Sequence, residues 1–102
     1  MDTTYISEDI EFRGDISYEG KLEVNGKFEG RVRSNGALII GGSGFVKADI
    51  EVRQISVKGE VYGNMNSELI TLFGSARVRG DLTCKQLQIE RGALHNGTTI
   101  MS

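Results

Sequence analysis

Apolar residues along this chain alternate with polar ones in short runs, and no segment keeps a helical period over ten or more residues. The phrase apolar-x-small-x-apolar occurs as Phe12-Arg13-Gly14-Asp15-Ile16, Phe28-Glu29-Gly30-Arg31-Val32 and Val46-Lys47-Ala48-Asp49-Ile50. It returns as Val61-Tyr62-Gly63-Asn64-Met65 and Val78-Arg79-Gly80-Asp81-Leu82, with a degraded sixth copy at His95-Asn96-Gly97-Thr98-Thr99. Successive copies start 16, 18, 15, 17 and 17 residues apart. After each of the first five comes apolar-x-apolar: Leu22-Glu23-Val24, Leu38-Ile39-Ile40, Ile55-Ser56-Val57, Ile70-Thr71-Leu72 and Leu87-Gln88-Ile89. Turn-forming residues close each unit, among them Asn25-Gly26, Lys58-Gly59 and Arg91-Gly92. Both phrases alternate with period two, so both predict strands, and the chain is expected to be all-β.

Strands at this spacing form either an antiparallel meander or a stacked coil, and the outward residues separate the two. In a coil, equivalent residues of successive repeats lie about 4.8 Å apart. The outward columns then read Arg13, Glu29, Lys47, Tyr62, Arg79 and Asp15, Arg31, Asp49, Asn64, Asp81. Sign alternates along both columns through the first three repeats, as parallel, in-register stacking favours, because like charges directly opposite destabilise a ladder. A meander would pair the repeats in reverse and misalign the columns. The expected fold is a single-stranded parallel β-helix of about six coils of 15–18 residues. Phe12, Phe28, Val46, Val61 and Val78 form one interior stack. Two more run from Leu22 to Leu87 and from Val24 to Ile89. Gly14, Gly30, Ala48, Gly63 and Gly80 are expected on the inside of the coil, where larger side chains lack room. The chain forms one domain, 1–102, with residues 1–5 a short tail and the core about 6–101.

Composition narrows the function classes. Twelve basic and fourteen acidic residues give a net charge of −2, so no global field attracts nucleic acid. The longest aliphatic run is Leu38-Ile39-Ile40, and the first residues lack the basic start and apolar stretch of a signal peptide. The lone Cys84 excludes an internal disulfide and, with the single His95, makes a zinc site unexpected. The natural reading is cytoplasmic, with no cofactor.

The repeat resembles the bactofilin family of bacterial cytoskeletal proteins, from about Ile6 to Met101. The most specific segments are Phe12-Arg13-Gly14-Asp15-Ile16, Leu22-Glu23-Val24-Asn25-Gly26-Lys27-Phe28-Glu29-Gly30 and Val78-Arg79-Gly80-Asp81-Leu82. The resemblance implies a right-handed, roughly triangular β-helix whose subunits join end to end into nonpolar filaments without nucleotide. It also implies a scaffold for cell-wall enzymes or membrane proteins at the inner face of the cell membrane, acting on cell shape. Two features depart from the family. Asp2, Glu8 and Asp9 sit where many members carry a membrane-binding segment, and an anionic lipid surface would repel them. His95 takes the inward position that is aromatic or aliphatic in the other repeats.

A β-helix has two open ends, and solenoids that stay monomeric need polar terminal repeats. This chain has no Pro and no visible cap, which favours polymerisation independently of any family. The expected contact residues are Ile6, Ile10 and Phe12 at the N-terminal end and Leu94, His95, Ile100 and Met101 at the C-terminal end. If His95 is enclosed between subunits, assembly should weaken as pH falls toward 6.

Catalysis is not expected. The carboxylates of Asp15, Asp49 and Asp81 fall one to a coil rather than in a cluster. Cys84 has no His near it in sequence to activate it, and falls at a corner equivalent to Tyr18, Ser34, Val52, Ser67 and Met101. Gly41-Gly42-Ser43-Gly44 lacks the Lys-Ser/Thr of a phosphate loop and reads as an expanded corner. The alternative function is a monomeric or oligomeric binding module for a protein or cell-wall glycan, using an outer column such as Glu23, Ile39, Ser56, Thr71 and Gln88.

Overall fold

The computed structural model describes residues 3–101. Thirteen strands join in one continuous sheet whose ladders are all parallel, wound into six coils with three faces each. The first face stacks β1 (Thr3–Ile6), β3 (Lys21–Val24), β5 (Ala37–Ile40), β7 (Gln54–Val57) and the second halves of β9 (Met65–Leu72) and β11 (Leu82–Ile89). The second stacks the first parts of β2 (Glu11–Tyr18), β4 (Lys27–Ser34) and β6 (Phe45–Glu51), followed by β8 (Glu60–Tyr62), β10 (Arg77–Arg79) and β12 (Leu94–Asn96). The third is made of the remaining parts of β2, β4, β6, β9 and β11 with β13 (Thr99–Met101). Strands that turn a corner without breaking hold the three faces in one sheet.

The register is the one the repeat predicts: Phe12 pairs with Phe28, Phe28 with Val46, Val46 with Val61, Val61 with Val78, and Val78 with His95. In the middle coils the inward columns are closed to solvent, with Phe28, Leu38, Ile55, Met65, Leu72 and Leu82 all at or below 1% exposed. The third face adds an inward column of its own, Ile16, Val32, Ile50, Met65 and Leu82. Each apolar side chain lies between its equivalents in adjacent coils, so a chain this small still builds one contiguous core.

Three expectations change. Strand β1 opens at Thr3, so Thr3–Tyr5, expected in a tail, are paired with β3; Ile6 anchors them by lying buried in register with Val24. Met1, Asp2 and Ser102 lie outside the described residues. The glycines of the repeat do not line the interior: Gly14 and Gly30 are exposed, at the corner between the second and third faces. They are needed because the corner takes φ +131° at Gly14 and +134° at Gly30, and because a Cβ on Gly30 would overlap the Gly14 carbonyl oxygen of the coil before. The crowding runs along the helix axis rather than toward its centre. Ala48 is buried as expected, and among the described residues no non-glycine has positive φ, so that corner follows another path.

The charge columns also differ in detail. Arg13 reaches Glu29 across the coil at 3.6 Å and Glu11 on its own strand at 3.1 Å. Among the described residues no ion pair closes along Asp15, Arg31 and Asp49. Pairs form instead at Arg33–Glu51 and Arg53–Glu68, and Arg79 extends the first column by lying 5.8 Å from the Tyr62 ring centre. These groups are solvent-exposed, where each pair contributes about 0–1 kcal/mol. Their main effect is to disfavour slipped registers.

The corner between the third and first faces is tied by side chains. Ser34 Oγ donates to the Tyr18 carbonyl at 2.7 Å and accepts from Gly36 N–H at 2.9 Å, while Ser67 Oγ donates to the Arg53 carbonyl at 2.8 Å. Tyr18 OH donates to the Ala37 carbonyl at 2.9 Å. Burial pushes the Tyr18 phenol up to about 12, against a smaller opposing effect of Ser34. The folded chain therefore keeps this proton at pH values where the unfolded chain, near 10, has lost it. Stability from this group is present below pH 10 and lost between 10 and 12. Denaturant titrations at about pH 9 and about pH 11.5 should show a smaller loss in Tyr18→Phe than in the parent; equal losses would contradict this assignment.

Candidate functional site

The ends of the solenoid are where its regular pairing stops. Among the described residues, at the N-terminal end β1 pairs only with β3 and β2 only with β4. Among the described residues, at the C-terminal end β12 pairs only with β10, β13 only with β11, and the Gln86–Ile89 part of β11 only with β9. Each end thus offers three strand edges with unpaired backbone groups, one per face, for another chain to meet.

Burial falls off at these ends, and it falls unequally. At the N-terminal end Ile6 is 6% exposed and closes the core, leaving little surface for a partner. Phe12 is half-buried and stacks on Phe28, with ring centres 5.1 Å apart and planes 8° from parallel; among the described residues no further coil lies beneath it. Ile10 stands in the turn after β1, where Ile10 N–H donates to the Ser7 carbonyl at 3.0 Å, and is 45% exposed. Ile16 and Tyr18, on the third face of the first coil, are half-buried against the core.

The C-terminal end is the more open. Leu94, Ile100 and Met101 are each more than half exposed. Their registers give them different roles. Leu94 follows Arg77 and Ile100 follows Thr83 in outward columns, so both lie on the flank of the last coil. Met101 follows Cys84 in an inward corner column, with its Sδ 3.5 Å from Cys84 Sγ. His95 follows Val78 inward and is half-buried; its Nε2 is 3.3 Å from the Gly80 carbonyl and its Nδ1 3.4 Å from Thr99 Oγ1. Nε2–H donates to the carbonyl, which accepts only, while the Thr99 hydroxyl can serve Nδ1 as donor or acceptor.

One end residue is misplaced by sequence reasoning. Ile89 continues the column Val24, Ile40, Val57 and Leu72 and is expected in the core, yet it is 52% exposed. Among the described residues no seventh rung of the first face covers it. Its signal is present in the sequence: an apolar column that stops leaves its last member open.

The remaining chemistry-bearing residues are dispersed. Cys84 is buried, and burial pushes its thiol up from its ordinary value, the reverse of nucleophile activation. The corner at Gly41–Gly44 is a turn closed by Gly44 N–H to the Gly41 carbonyl at 2.8 Å. A shallow groove of about 420 Å³ runs along the third face, where Arg31 and Arg33 lie among Asp49, Glu51 and Asp81. Among the described residues there is no cluster of three potential metal ligands, and no helix is long and apolar enough to cross a membrane.

Comparison with known proteins bears on these ends. The sequence model of the bactofilins, described as polymer-forming cytoskeletal, matches residues 4–99. The chain is 33% identical over 102 residues to bactofilin BacO of Myxococcus xanthus, covering 99% of this chain and 81% of that protein. It is 32% identical to bactofilin BacP of the same organism, again over 99% of this chain but only 42% of BacP. Among solved structures it is similar to the bactofilin of Thermus thermophilus seen in double helical filaments, with a TM-score of 0.92 and 31% identity over 97% of this chain and 99% of that one. A point-mutant crystal structure of the Thermus protein matches with a TM-score of 0.83 and 31% identity, over 87% of this chain and 100% of that one.

Proposed function

Because the chain belongs to the bactofilin family of polymer-forming cytoskeletal proteins, we propose that it is itself a filament-forming scaffold. Its subunits join through the ends of the solenoid, without nucleotide, and the polymer positions cell-envelope or cell-shape machinery at the inner face of the cell membrane. Nonpolar filaments follow from joining like ends, since a two-fold contact leaves no direction along the polymer. The scaffold has no catalytic role. The observation that carries this reading is the pair of solenoid ends, each with three strand edges unpaired among the described residues and lying beside apolar side chains.

Filaments of the Thermus relative are double helical. Two strands wound around each other need a lateral contact as well as an axial one, so assembly of that kind in the present chain calls on a side of the solenoid in addition to its ends.

The direct test is negative-stain electron microscopy of the purified chain beside Leu94→Asp, with circular dichroism on both. Filaments in the parent and folded single subunits in the variant are expected. Filaments in both would move the axial contact away from Leu94. Folded monomers in the parent at all concentrations would replace this reading with that of a binding module.

A further inference from the structure

The three outer faces differ in charge. On the second face each of the first five coils carries at least one formal charge, from Glu11 and Arg13 to Arg77 and Arg79. The third face carries Asp15, Arg31, Arg33, Asp49, Glu51 and Asp81. On the first face the outward charges are Lys21 and Glu23, both in the second coil. From the third coil onward one outward column reads Ala37, Gln54, Leu69, Gln86. The other reads Ile39, Ser56, Thr71, Gln88. Neither contains a formal charge. The face is also the most regular of the three, because each rung contributes four residues paired in full register.

We propose that this uncharged first face is the lateral contact through which a filament of this chain pairs with a second filament of the same chain; the proposal rests on the polymer reading above. The occupant follows from the chemistry of the face. The outward columns of two copies bring no formal charges together from the third coil onward, and the amides of Gln54, Gln86 and Gln88 both donate and accept, so they pair with their own kind. Ile39 and Leu69 are half-buried between polar neighbours and lose water when the two faces meet. An acidic or basic partner would find charges only at the bordering corner, at Arg53, Glu68 and Lys85, and none on the two columns themselves. A lipid surface would find neither a basic cluster nor an exposed large apolar side chain in these two columns.

Area decides when the contact operates. Four coils of four residues present roughly 250 Å² per copy, at about 4.8 Å between strands and 3.3 Å per residue. A standard interface takes about 800 Å² from each partner. Single subunits should therefore not pair, whereas a filament repeats the same face along its length and its contacts act together. Lateral pairing is then a consequence of polymerisation rather than a competing route to dimers.

The test compares the parent with Gln54→Lys/Gln86→Lys, which places two exposed charges on the first face with Leu69 between them. The control, Asn64→Lys/Thr98→Lys, adds the same charge to exposed positions of the third face beside Asp81. Electron microscopy should show paired filaments for the parent and the control, and single filaments with an unchanged axial repeat for the first-face variant. Sedimentation of Leu94→Asp should show monomers. Paired filaments in the first-face variant, or dispersal in the control as well, would overturn the assignment. So would single parent filaments that bind neutral phosphatidylcholine vesicles and lose that binding in the first-face variant. No filaments from any of the three would refute the polymer reading itself, whereas single filaments from the parent would refute only the lateral contact.

Discussion

Replacing Ile89 with Asp is expected to disperse filaments into folded monomers, as Leu94→Asp does, and to raise further the concentration at which polymer appears. Ile89 ends an inward column and is 52% exposed, whereas Leu94 lies on the flank of the last coil. An axial partner covering the open end places its surface over Ile89. A carboxylate enclosed there without a cation costs several kcal/mol, and about every 1.4 kcal/mol is a factor of ten in the contact equilibrium. The concentration at which polymer appears should rise by at least about 100-fold. The fold should survive, because the side chain is already half in water and the columns beneath it remain closed. Sedimentation across a concentration series, with circular dichroism melting on the same samples, measures both quantities. A variant that polymerises at the parent's concentration would remove the first-face rim from the axial contact, and one that fails to fold would show Ile89 to be core after all.

The largest effect on stability is expected at Gly30. Its φ of +134° strains any residue with a side chain, and its Cβ would overlap the carbonyl oxygen of Gly14 in the coil before. Backbone strain of this kind is of order 1–3 kcal/mol, and pushing one coil off another adds to it. Gly30→Ala should therefore lose roughly 2–4 kcal/mol, and since 1 kcal/mol shifts the midpoint of a domain this size by about 4–8 °C, melting should fall by more than about 10 °C. Gly42 supplies the contrast. It lies in the expanded corner with no positive φ, and a Cβ added there would meet no atom within 4 Å. Gly42→Ala should stay within about 0.5 kcal/mol of the parent. Equal melting temperatures for the two variants would refute the axial-crowding account of the repeat's glycine.

These variants also mark how far the chain can be read unaided. The coil, its length and its register are legible because a period of two identifies inward positions, and a recurring phrase of constant internal spacing identifies which inward position lies over which. Phe12 over Phe28 and Arg13 over Glu29 are statements of that kind, and both pairs are in register. Legibility is weaker wherever the outcome depends on a direction in space. Gly30 reads as small in the sequence, but whether smallness serves the centre of the coil or the neighbouring coil depends on the corner's path. The Asp15–Arg31–Asp49 column alternates in sign, yet long side chains at an exposed edge find other partners, and the closed pairs are at Arg13–Glu29, Arg33–Glu51 and Arg53–Glu68.

The ends divide in the same way. That this chain stacks apolar columns is a property of residue order alone, since each coil's content can be counted without coordinates. Which end residues remain free is a property of the folded solenoid. Ile6 and Ile89 belong to the same inward column, yet one is 6% exposed and the other 52%, because the turn and the coil around each cover them differently. The pattern of the sequence determines what lies above what, through the fixed spacing of strands. Only the tertiary structure decides what is left uncovered, because exposure depends on every neighbouring coil at once.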